Sequence, residues 1–190
     1  MKVVAYNGSP RKNGNTSKLI QVVFEELNKE GIETVEVNVG FDGVKGCIGC
    51  GACKKAQNHT CVSINDKLNE YYKEAIGADG IILASPVYYA DVTGQMKCFI
   101  DRFATVARAN GILKGKVGAS IVTARRDGAF HTYSTINAVF GVSEMLMVGA
   151  NYWNQGVGRQ VGDVLSDEEG LETMRVLGKN MAKALKSLNK

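Results

Sequence analysis

The chain has 190 residues, of which 45% are hydrophobic and 22% are charged, with five cysteines and a net charge of +4. A chain of this length can bury its own core without disulfides, and an odd cysteine count argues against a disulfide framework. The charge is too small, and the lysines too scattered, to indicate nucleic-acid binding. No apolar run reaches membrane-spanning length, and no secretory signal precedes Asn7 and Gly8. We therefore expect one domain over residues 1–190, in a reducing cytoplasm, without nucleic acid or membrane as partners.

Short apolar segments alternate along the chain with segments whose apolar residues recur three and four positions apart. The first kind predicts buried strands, and the second predicts amphipathic helices. In chain order, strands are predicted at residues 2–6, 32–39, 79–85, 116–123 and 145–149. Five helices are predicted between and after these strands. They lie at residues 16–31, 68–76, 94–107 and 134–142, and from 166 toward 188.

The last helix is predicted to start at a capping box, in which Ser166 and Glu169 satisfy each other's end groups. Residues 125–131 are expected to form a loop, and 151–165 carry the weakest pattern in the chain. Apolar strands that alternate with helices predict a parallel sheet covered on both faces. Five such strands fit a flavodoxin-like, doubly wound α/β fold with strand order 2-1-3-4-5. In that fold, ligands lie beyond the carboxyl ends of the strands, where the strand order reverses.

The loop after the first strand, GSPRKNGNTS at residues 8–17, is called the phosphate loop below. It leads into a helix, whose free backbone N–H groups attract an anion, and it adds hydroxyl, amide and guanidinium donors. It does not contain the G-x-G-x-x-G fingerprint of dinucleotide-binding loops. It also differs from the nucleoside-triphosphate motif, because Asn15 stands in place of the lysine that this motif needs. We therefore expect it to bind one phosphate monoester, as in FMN. The alternative is an ordinary turn with a helix cap at Asn15 or Thr16.

The segments GSPRKNGNTSKL and SPVYYADVTGQMKCFIDR together resemble the NADPH-dependent FMN reductase branch of the flavodoxin-like superfamily, over about residues 1–125. With the cysteines between them, the chain is similar to the iron–sulfur flavoprotein family. The resemblance implies that the FMN phosphate is held by Ser9, Arg11, Asn13, Asn15, Thr16 and Ser17. It implies that the isoalloxazine and ribityl groups are lined by Pro86, Val87, Tyr88 and Tyr89. It also implies that the loop after the fourth strand lies beside the flavin through Ala124, Arg125 and Gly128. For the two tyrosines, packing at the strand end is the alternative.

Four of the five cysteines lie within fifteen residues and have the spacing C-x2-C-x2-C-x7-C, namely Cys47, Cys50, Cys53 and Cys61. Bacterial ferredoxins use the same C-x2-C-x2-C opening, and the glycines at 46, 49 and 51 let the backbone approach a cluster. We therefore expect these cysteines, in an insertion over about residues 40–63 after the second strand, to bind a [4Fe–4S] cluster. Structural zinc, which usually takes two separate C-x2-C pairs, and free thiols are the alternatives. The fifth cysteine, Cys98, is expected to be a small buried apolar residue.

The expected function is that of an FMN-dependent oxidoreductase that relays electrons through the cluster to FMN and on to an acceptor. The resemblance implies ferredoxin as the donor, a small-molecule acceptor such as a quinone, oxygen or peroxide, and a homodimer or homotetramer. No catalytic side chain is predicted, because the cofactors carry the chemistry. Two alternatives stay open. One is an NAD(P)H-dependent FMN or quinone reductase without a cluster, and the other is a zinc-stabilised flavodoxin-like interaction module.

Overall fold

A parallel β-sheet lies at the centre of the computed structural model, which describes residues 1–188. Its strands are β1 (Lys2–Asn7), β2 (Glu33–Asn38), β3 (Gly80–Pro86), β4 (Val117–Ala124), β5 (Leu146–Met147) and β6 (Gln155–Val157). The strand order is β2-β1-β3-β4-β5, and β6 also pairs with β4. The order confirms the predicted doubly wound, flavodoxin-like sheet, with the strand order reversing between β1 and β3.

Helices cover both faces of the sheet. They are α1 (Asn15–Lys29), α2 (Ala52–Ala56), α3 (Leu68–Ile76), α4 (Gly94–Ala109), α5 (Ala129–Val142) and α6 (Glu168–Leu188). Helices α3, α4 and α5 pack on the face to which β1 turns Val4 and Tyr6, whereas α1 and α6 pack on the face that receives Val3 and Ala5. Because successive strand residues point to opposite faces, a strand that is apolar throughout supplies both cores. Within residues 1–188, no helix is long and apolar enough to cross a membrane.

The C-terminal third departs from the sequence-based prediction in three places. Strand β6 lies in the weakly patterned segment, where three residues are too few to show a period. Helix α5 begins at Ala129, directly after Gly128, so the predicted loop at 125–131 is shorter than expected. Strand β5 is an exposed pair of residues at the sheet edge, shorter than the predicted 145–149.

The predicted capping box at the start of α6 is wrong. Ser166 ends a 3-10 turn (Asp163–Ser166), and Asp167 stands at the helix start instead. The Asp167 carboxylate accepts the Gly170 N–H at 3.0 Å and the Val157 N–H at 2.6 Å. Asp167 therefore caps α6 and at the same time fixes the end of β6, a contact that a local capping pattern does not reveal.

Four aromatic rings pack together between the sheet and helices α3 and α4. The Phe99 and Phe103 rings stack at 4.8 Å between centroids, Tyr6 lies 5.2 Å from Phe103, and Tyr72 lies 5.8 Å from it. Phe103→Ala leaves a cavity among these rings, and we expect the free energy of unfolding to fall by about 3–5 kcal/mol. Urea denaturation measures it. Phe41→Ala, which removes a ring that is 46% exposed, is the control and should have a clearly smaller effect.

Candidate functional site

The phosphate loop is held in shape by short-range hydrogen bonds at the carboxyl end of β1. The Asn7 side chain accepts the Ser9 N–H at 2.9 Å, and the Ser9 hydroxyl accepts the Arg11 N–H at 3.2 Å. The cap of α1 is Gly14, and no side chain caps the helix. The alternative of an ordinary turn with a helix cap at Asn15 or Thr16 does not fit this cap position. The uncapped first-turn N–H groups leave this helix start open to an anion, in line with the predicted phosphate site.

A cavity of about 150 Å³ opens at the carboxyl ends of β1, β3 and β4, next to the phosphate loop. Eight of the predicted cofactor residues line it: Ser9, Arg11, Asn15, Thr16, Pro86, Val87, Tyr88 and Arg125. The predicted residues that do not line it are Asn13, Ser17, Tyr89, Ala124 and Gly128. The structure thus brings the two sequence motifs together at the place where the strand order reverses, as the fold type requires.

Three residues of the phosphate loop differ in whether they face the cavity. The Ser17 hydroxyl donates to the Glu36 carboxylate of β2 at 3.0 Å and so lies outside the cavity wall. Thr16 is buried, and its hydroxyl lies 3.1 Å from that of Thr123 on β4. Asn13 has a φ of 54°, a left-handed conformation that asparagine adopts more readily than most residues. Asn13 and Ser17 therefore shape the loop, whereas Thr16 belongs to the cavity wall.

The Asn15 side chain holds a distant segment of the chain. Its amide donates to the Gln160 carbonyl at 2.7 Å, and its carbonyl oxygen accepts the Gly162 N–H at 2.7 Å. Both polar atoms of the side chain are thus paired with the segment 158–162, which we call the C-terminal strap. Asn15 therefore fastens the C-terminal strap over the phosphate loop, a role that the sequence analysis did not foresee.

The C-terminal strap also contributes residues that the sequence analysis missed. Gly158, Arg159 and Val161 line the cavity, as does Thr123. A Cβ at Gly158 would lie 2.7 Å from the Asn15 amide nitrogen, so only glycine permits this close approach. The pair of glycines in GVGR, at 156 and 158, is the only local sequence feature that marks this contact.

The loops after β3 and β4 form two neighbouring walls of the cavity beside the phosphate loop. Gly128 has a φ of 88°, and a Cβ on it would lie 2.7 Å from the Cα of Ala90. Ala124 is buried, and its carbonyl accepts the Gly158 N–H at 2.8 Å. Tyr88 is half-exposed at the cavity, whereas Tyr89 is fully exposed with a φ of 49°. Gly128 and Ala124 thus support the loops from behind, and strand-end packing does not account for either tyrosine.

A second cavity, of about 180 Å³, lies between the cysteine-rich segment and α4. All four predicted ligands line it, namely Cys47, Cys50, Cys53 and Cys61, and all are free thiols. Gly49 and Gly51 have φ values of 67° and 69°, and a Cβ on either would meet nothing within 4 Å. Glycine is needed at these positions for the backbone conformation, since it lets the chain curl around the cavity.

Cys98 lies on α4, with its sulfur beside Gly46 of the cysteine-rich segment. It is half-buried, it packs at the margin of the aromatic core, and it does not line the second cavity. Cys98 was expected to be a small buried apolar residue, and the structure buries it only in part.

Neighbouring polar groups hold two of the cysteines in place. The Ser63 hydroxyl lies 3.0 Å from the Cys50 sulfur, and this hydrogen bond, together with the Ala52 N–H, lowers the pKa of the Cys50 thiol below its usual range. The Asn69 side chain accepts the Cys61 N–H at 2.8 Å and donates to the Cys61 carbonyl at 3.1 Å. The start of α3 therefore fixes the backbone of the last cysteine.

The four sulfur atoms border the cavity without forming a compact site for one metal ion. Within residues 1–188, no three His, Cys, Asp or Glu side chains lie close enough to bind a single metal ion. Four thiolates around one zinc, each about 2.3 Å from it, must lie within about 4 Å of one another. In a [4Fe–4S] cluster the four cysteines bind four different irons, which requires wider spacing. The four thiols and the glycines at 49 and 51 border one cavity, and these are the residues that could hold a metal group.

The first 160 residues match the family model described as NADPH-dependent FMN reductase. The chain belongs to this family. It is therefore an FMN-dependent oxidoreductase, and the cavity beside the phosphate loop lies where such a fold places its ligand. The matched residues contain the phosphate loop, the second motif after β3, all four clustered cysteines and most of the C-terminal strap.

Relatives of full length carry a more specific name. An iron-sulfur flavoprotein of Methanocaldococcus jannaschii is 38% identical over 100% of both chains. An iron-sulfur flavoprotein of Methanosarcina thermophila is 33% identical over 100% of this chain and 98% of its own. These similarities place the chain among the iron–sulfur flavoproteins within the FMN reductase family.

Solved structures support the fold. RosB with a bound 8-demethyl-8-formylriboflavin-5'-phosphate intermediate superimposes with a TM-score of 0.79 at 19% identity, over 100% of this chain and 80% of RosB. A flavodoxin-type, WrbA-like protein from Agrobacterium tumefaciens gives 0.69 at 16% identity, over 98% of this chain and 97% of its own. At this identity the comparison establishes the flavodoxin-like architecture alone.

Proposed function

We propose that this oxidoreductase combines FMN in the cavity beside the phosphate loop with a [4Fe–4S] cluster held by Cys47, Cys50, Cys53 and Cys61. The observation that carries the proposal is the convergence of these four thiols on one cavity in a member of an FMN reductase family. The names of the full-length relatives support it. FMN supplies one- and two-electron chemistry when bound, and the cluster supplies one-electron chemistry.

The chain's own contribution at the FMN cavity is binding and orientation. Three exposed arginines from separate loops, Arg11, Arg125 and Arg159, line the cavity and would balance the charge of a phosphate monoester, about −1.5 to −2. The uncapped start of α1 adds backbone donors. Pro86 and Val87 form an apolar wall suited to an aromatic ring, and Tyr88 adds a half-exposed ring at the mouth.

The proposal extends to the domain, the electron donor and the assembly. Residues 1–190 are proposed to form a single FMN-binding domain, with ferredoxin or NAD(P)H as donor and a small molecule as acceptor. A homodimer or homotetramer is supported by a cluster of exposed rings, in which Trp153 lies 5.0 Å from Phe130 and 4.8 Å from Tyr152. Exposed aromatic residues of this kind are enriched at protein interfaces.

The exposure of Cys47 and Cys50 to solvent favours a second candidate function, in which the cysteines are free thiols. An NAD(P)H-dependent FMN or quinone reductase without a cluster would keep the FMN cavity and leave the thiols free. The third hypothesis, a zinc-stabilised module that binds no flavin, is less well supported, because the family model that matches the chain is that of an FMN reductase.

The deciding experiment measures iron, acid-labile sulfide, zinc and FMN per chain after purification without oxygen. About four irons and four sulfides per chain, with FMN, support the proposal. FMN without metal supports the cluster-free reductase, and zinc without FMN supports the third hypothesis. Stopped-flow mixing with NADPH and with reduced ferredoxin then separates the two donors by the rate at which the flavin absorbance bleaches.

Asn15→Ala tests the role of the C-terminal strap. The substitution removes two hydrogen bonds to the strap, worth about 1 kcal/mol each, so we expect the Kd for FMN to rise about 30-fold. Titration of the apoprotein followed by FMN fluorescence measures it. Gln160→Ala is the matched control, because only the backbone carbonyl of Gln160 contacts Asn15 and the FMN affinity should stay unchanged. Equal affinities for both variants would show that the strap is not part of the site.

A further inference from the structure

Arg102 is the largest fully buried side chain that the structure describes, with 1% of its surface exposed. It lies in the middle of α4 and lines the cavity of the four cysteines. A buried guanidinium is costly unless it is paired and its donors are satisfied. Its partners therefore indicate why an arginine occupies this position.

Arg102 joins the two ends of the cysteine-rich segment. Its Nη1 donates to the Asp66 carboxylate at 2.5 Å and to the Lys45 carbonyl at 3.2 Å, and its Nη2 donates to the Ile64 carbonyl at 3.3 Å. Asp66 also accepts the Lys45 N–H at 3.0 Å. Lys45 precedes the first clustered cysteine, and Ile64 and Asp66 follow the last. The guanidinium thus closes the segment against α4, as a staple at its base.

The charge state of this pair is secure. Burial opposes the charged form of Arg102, but an arginine guanidinium stays protonated in proteins, and the Asp66 carboxylate 2.5 Å from its Nη1 stabilises the charge. Burial likewise opposes ionisation of Asp66, but the hydrogen bond from Arg102 outweighs it and lowers the pKa of the carboxyl. The cavity wall therefore carries a permanent positive charge. The partners of Arg102 bind its two Nη groups and leave the Nε–H without a partner among the described residues.

One donor of Arg102 is left over. Its Nε–H has no hydrogen-bond partner in the part of the chain that the structure describes, although the atom is buried. A buried donor without an acceptor costs about 1–3 kcal/mol. The cavity that Arg102 lines is bordered by the thiols of four cysteines and by only two hydroxyl-bearing residues, Ser63 and Thr105, so most of the side-chain acceptors around it are sulfur atoms. An anionic sulfur in the cavity would satisfy the donor and face the positive charge.

We propose that Arg102 is a positioning residue for the cluster, closing the cysteine-rich segment with its Nη groups and donating its Nε–H to a sulfur in the cavity. The inference rests on the proposed function, because the acceptor is a sulfur of the cluster or of its Cys61 ligand. Hydrogen bonds to the sulfurs and nearby charge raise the reduction potential of iron–sulfur clusters, since both favour the more negative, reduced state. Arg102 therefore stabilises the reduced form of the cluster.

The test compares Arg102→Lys with Arg108→Lys, which changes an exposed arginine of the same helix outside the cavity. Lysine keeps the charge beside Asp66 but has no Nε–H and no planar fork. We expect the Arg102→Lys cluster to be about tenfold harder to reduce, a fall of about 59 mV in midpoint potential, in a redox titration followed by electron paramagnetic resonance. The Arg108→Lys potential should equal that of the wild-type protein. A lower iron content with an unchanged potential would show a purely structural role and overturn the inference.

A second measurement uses the wild-type protein, so it does not depend on whether a variant still assembles the cluster. Wild-type protein labelled with ¹⁵N at the arginine Nε atoms should show a hyperfine coupling between the reduced cluster and one ¹⁵N nucleus. Absence of that coupling overturns the inference while leaving the cluster itself in place. Wild-type protein that binds FMN but no iron and sulfide would instead contradict the proposed function, and the inference with it. The two failures are therefore distinguishable.

Discussion

Cys50→Ser is expected to reduce the iron content from about four atoms per chain to less than one, while FMN remains bound. Cys50 is exposed, and its sulfur forms a hydrogen bond with the Ser63 hydroxyl. Its replacement by the similarly sized serine therefore costs little stability, so loss of iron would report loss of a ligand. Iron, sulfide and FMN assays on protein purified without oxygen measure the effect.

Cys98→Ser is the matched control for that substitution. Cys98 is half-buried and lies outside the cavity of the four cysteines, so its replacement should leave iron, sulfide and FMN at wild-type levels. Retention of a full iron complement in Cys50→Ser, or its loss in Cys98→Ser, would refute the assignment of the ligands. The pair of variants thus separates ligation from a general effect of removing a thiol.

Gly40→Ala is expected to weaken FMN binding about hundredfold or more. Gly40 follows β2 and lies directly against the phosphate loop, where a Cβ would meet the Ser9 carbonyl oxygen at 2.3 Å and that of Gly8 at 2.8 Å. These are backbone atoms, so the clash is relieved only if the phosphate loop shifts. We also expect the free energy of unfolding to fall by about 1–3 kcal/mol, as overpacking usually causes. Fluorescence titration with FMN and urea denaturation measure the two effects.

Gly77→Ala provides the comparison for Gly40→Ala. Gly77 follows α3, and a Cβ on it would have no atom within 4 Å. We expect FMN affinity to be unchanged, with a free energy of unfolding within about 0.5 kcal/mol of the wild-type value. Wild-type FMN affinity in Gly40→Ala would show that the phosphate loop does not contact the cofactor.

Helix α4 connects the two cavities. Its cap, Thr93, donates its hydroxyl proton to the Gly8 carbonyl at 2.8 Å and accepts the Met96 N–H at 3.1 Å. The start of α4 is therefore anchored to the phosphate loop. Arg102 lies eight residues after Gly94, about 12 Å further along the helix axis, and anchors the cysteine-rich segment. One rigid helix thus fixes the position of both proposed cofactor sites.

The architecture and the two site motifs could be predicted from the sequence because their signals are local. The apolar runs of β1 and β3 and the helical periodicity of α1 and α4 follow from neighbouring residues. The phosphate loop is a continuous segment, and the four cysteines lie close together in the chain. The glycines at 46, 49 and 51 were expected to let the backbone approach a cluster, whereas the structure shows that those at 49 and 51 serve positive φ values.

Contacts between distant residues were decided only by the tertiary structure. Asn15 reads as a phosphate ligand in its own loop, but its amide is paired with a segment almost 150 positions later. The staple of Arg102 to Lys45 and Asp66 likewise joins positions 57 and 36 residues apart. Hydrophobic periodicity reports which face of an element is buried, whereas these pairings depend on which elements the sheet order brings together. The chain's local chemistry determined what kind of site it builds, and the packing of the sheet and helices determined which side chains complete it.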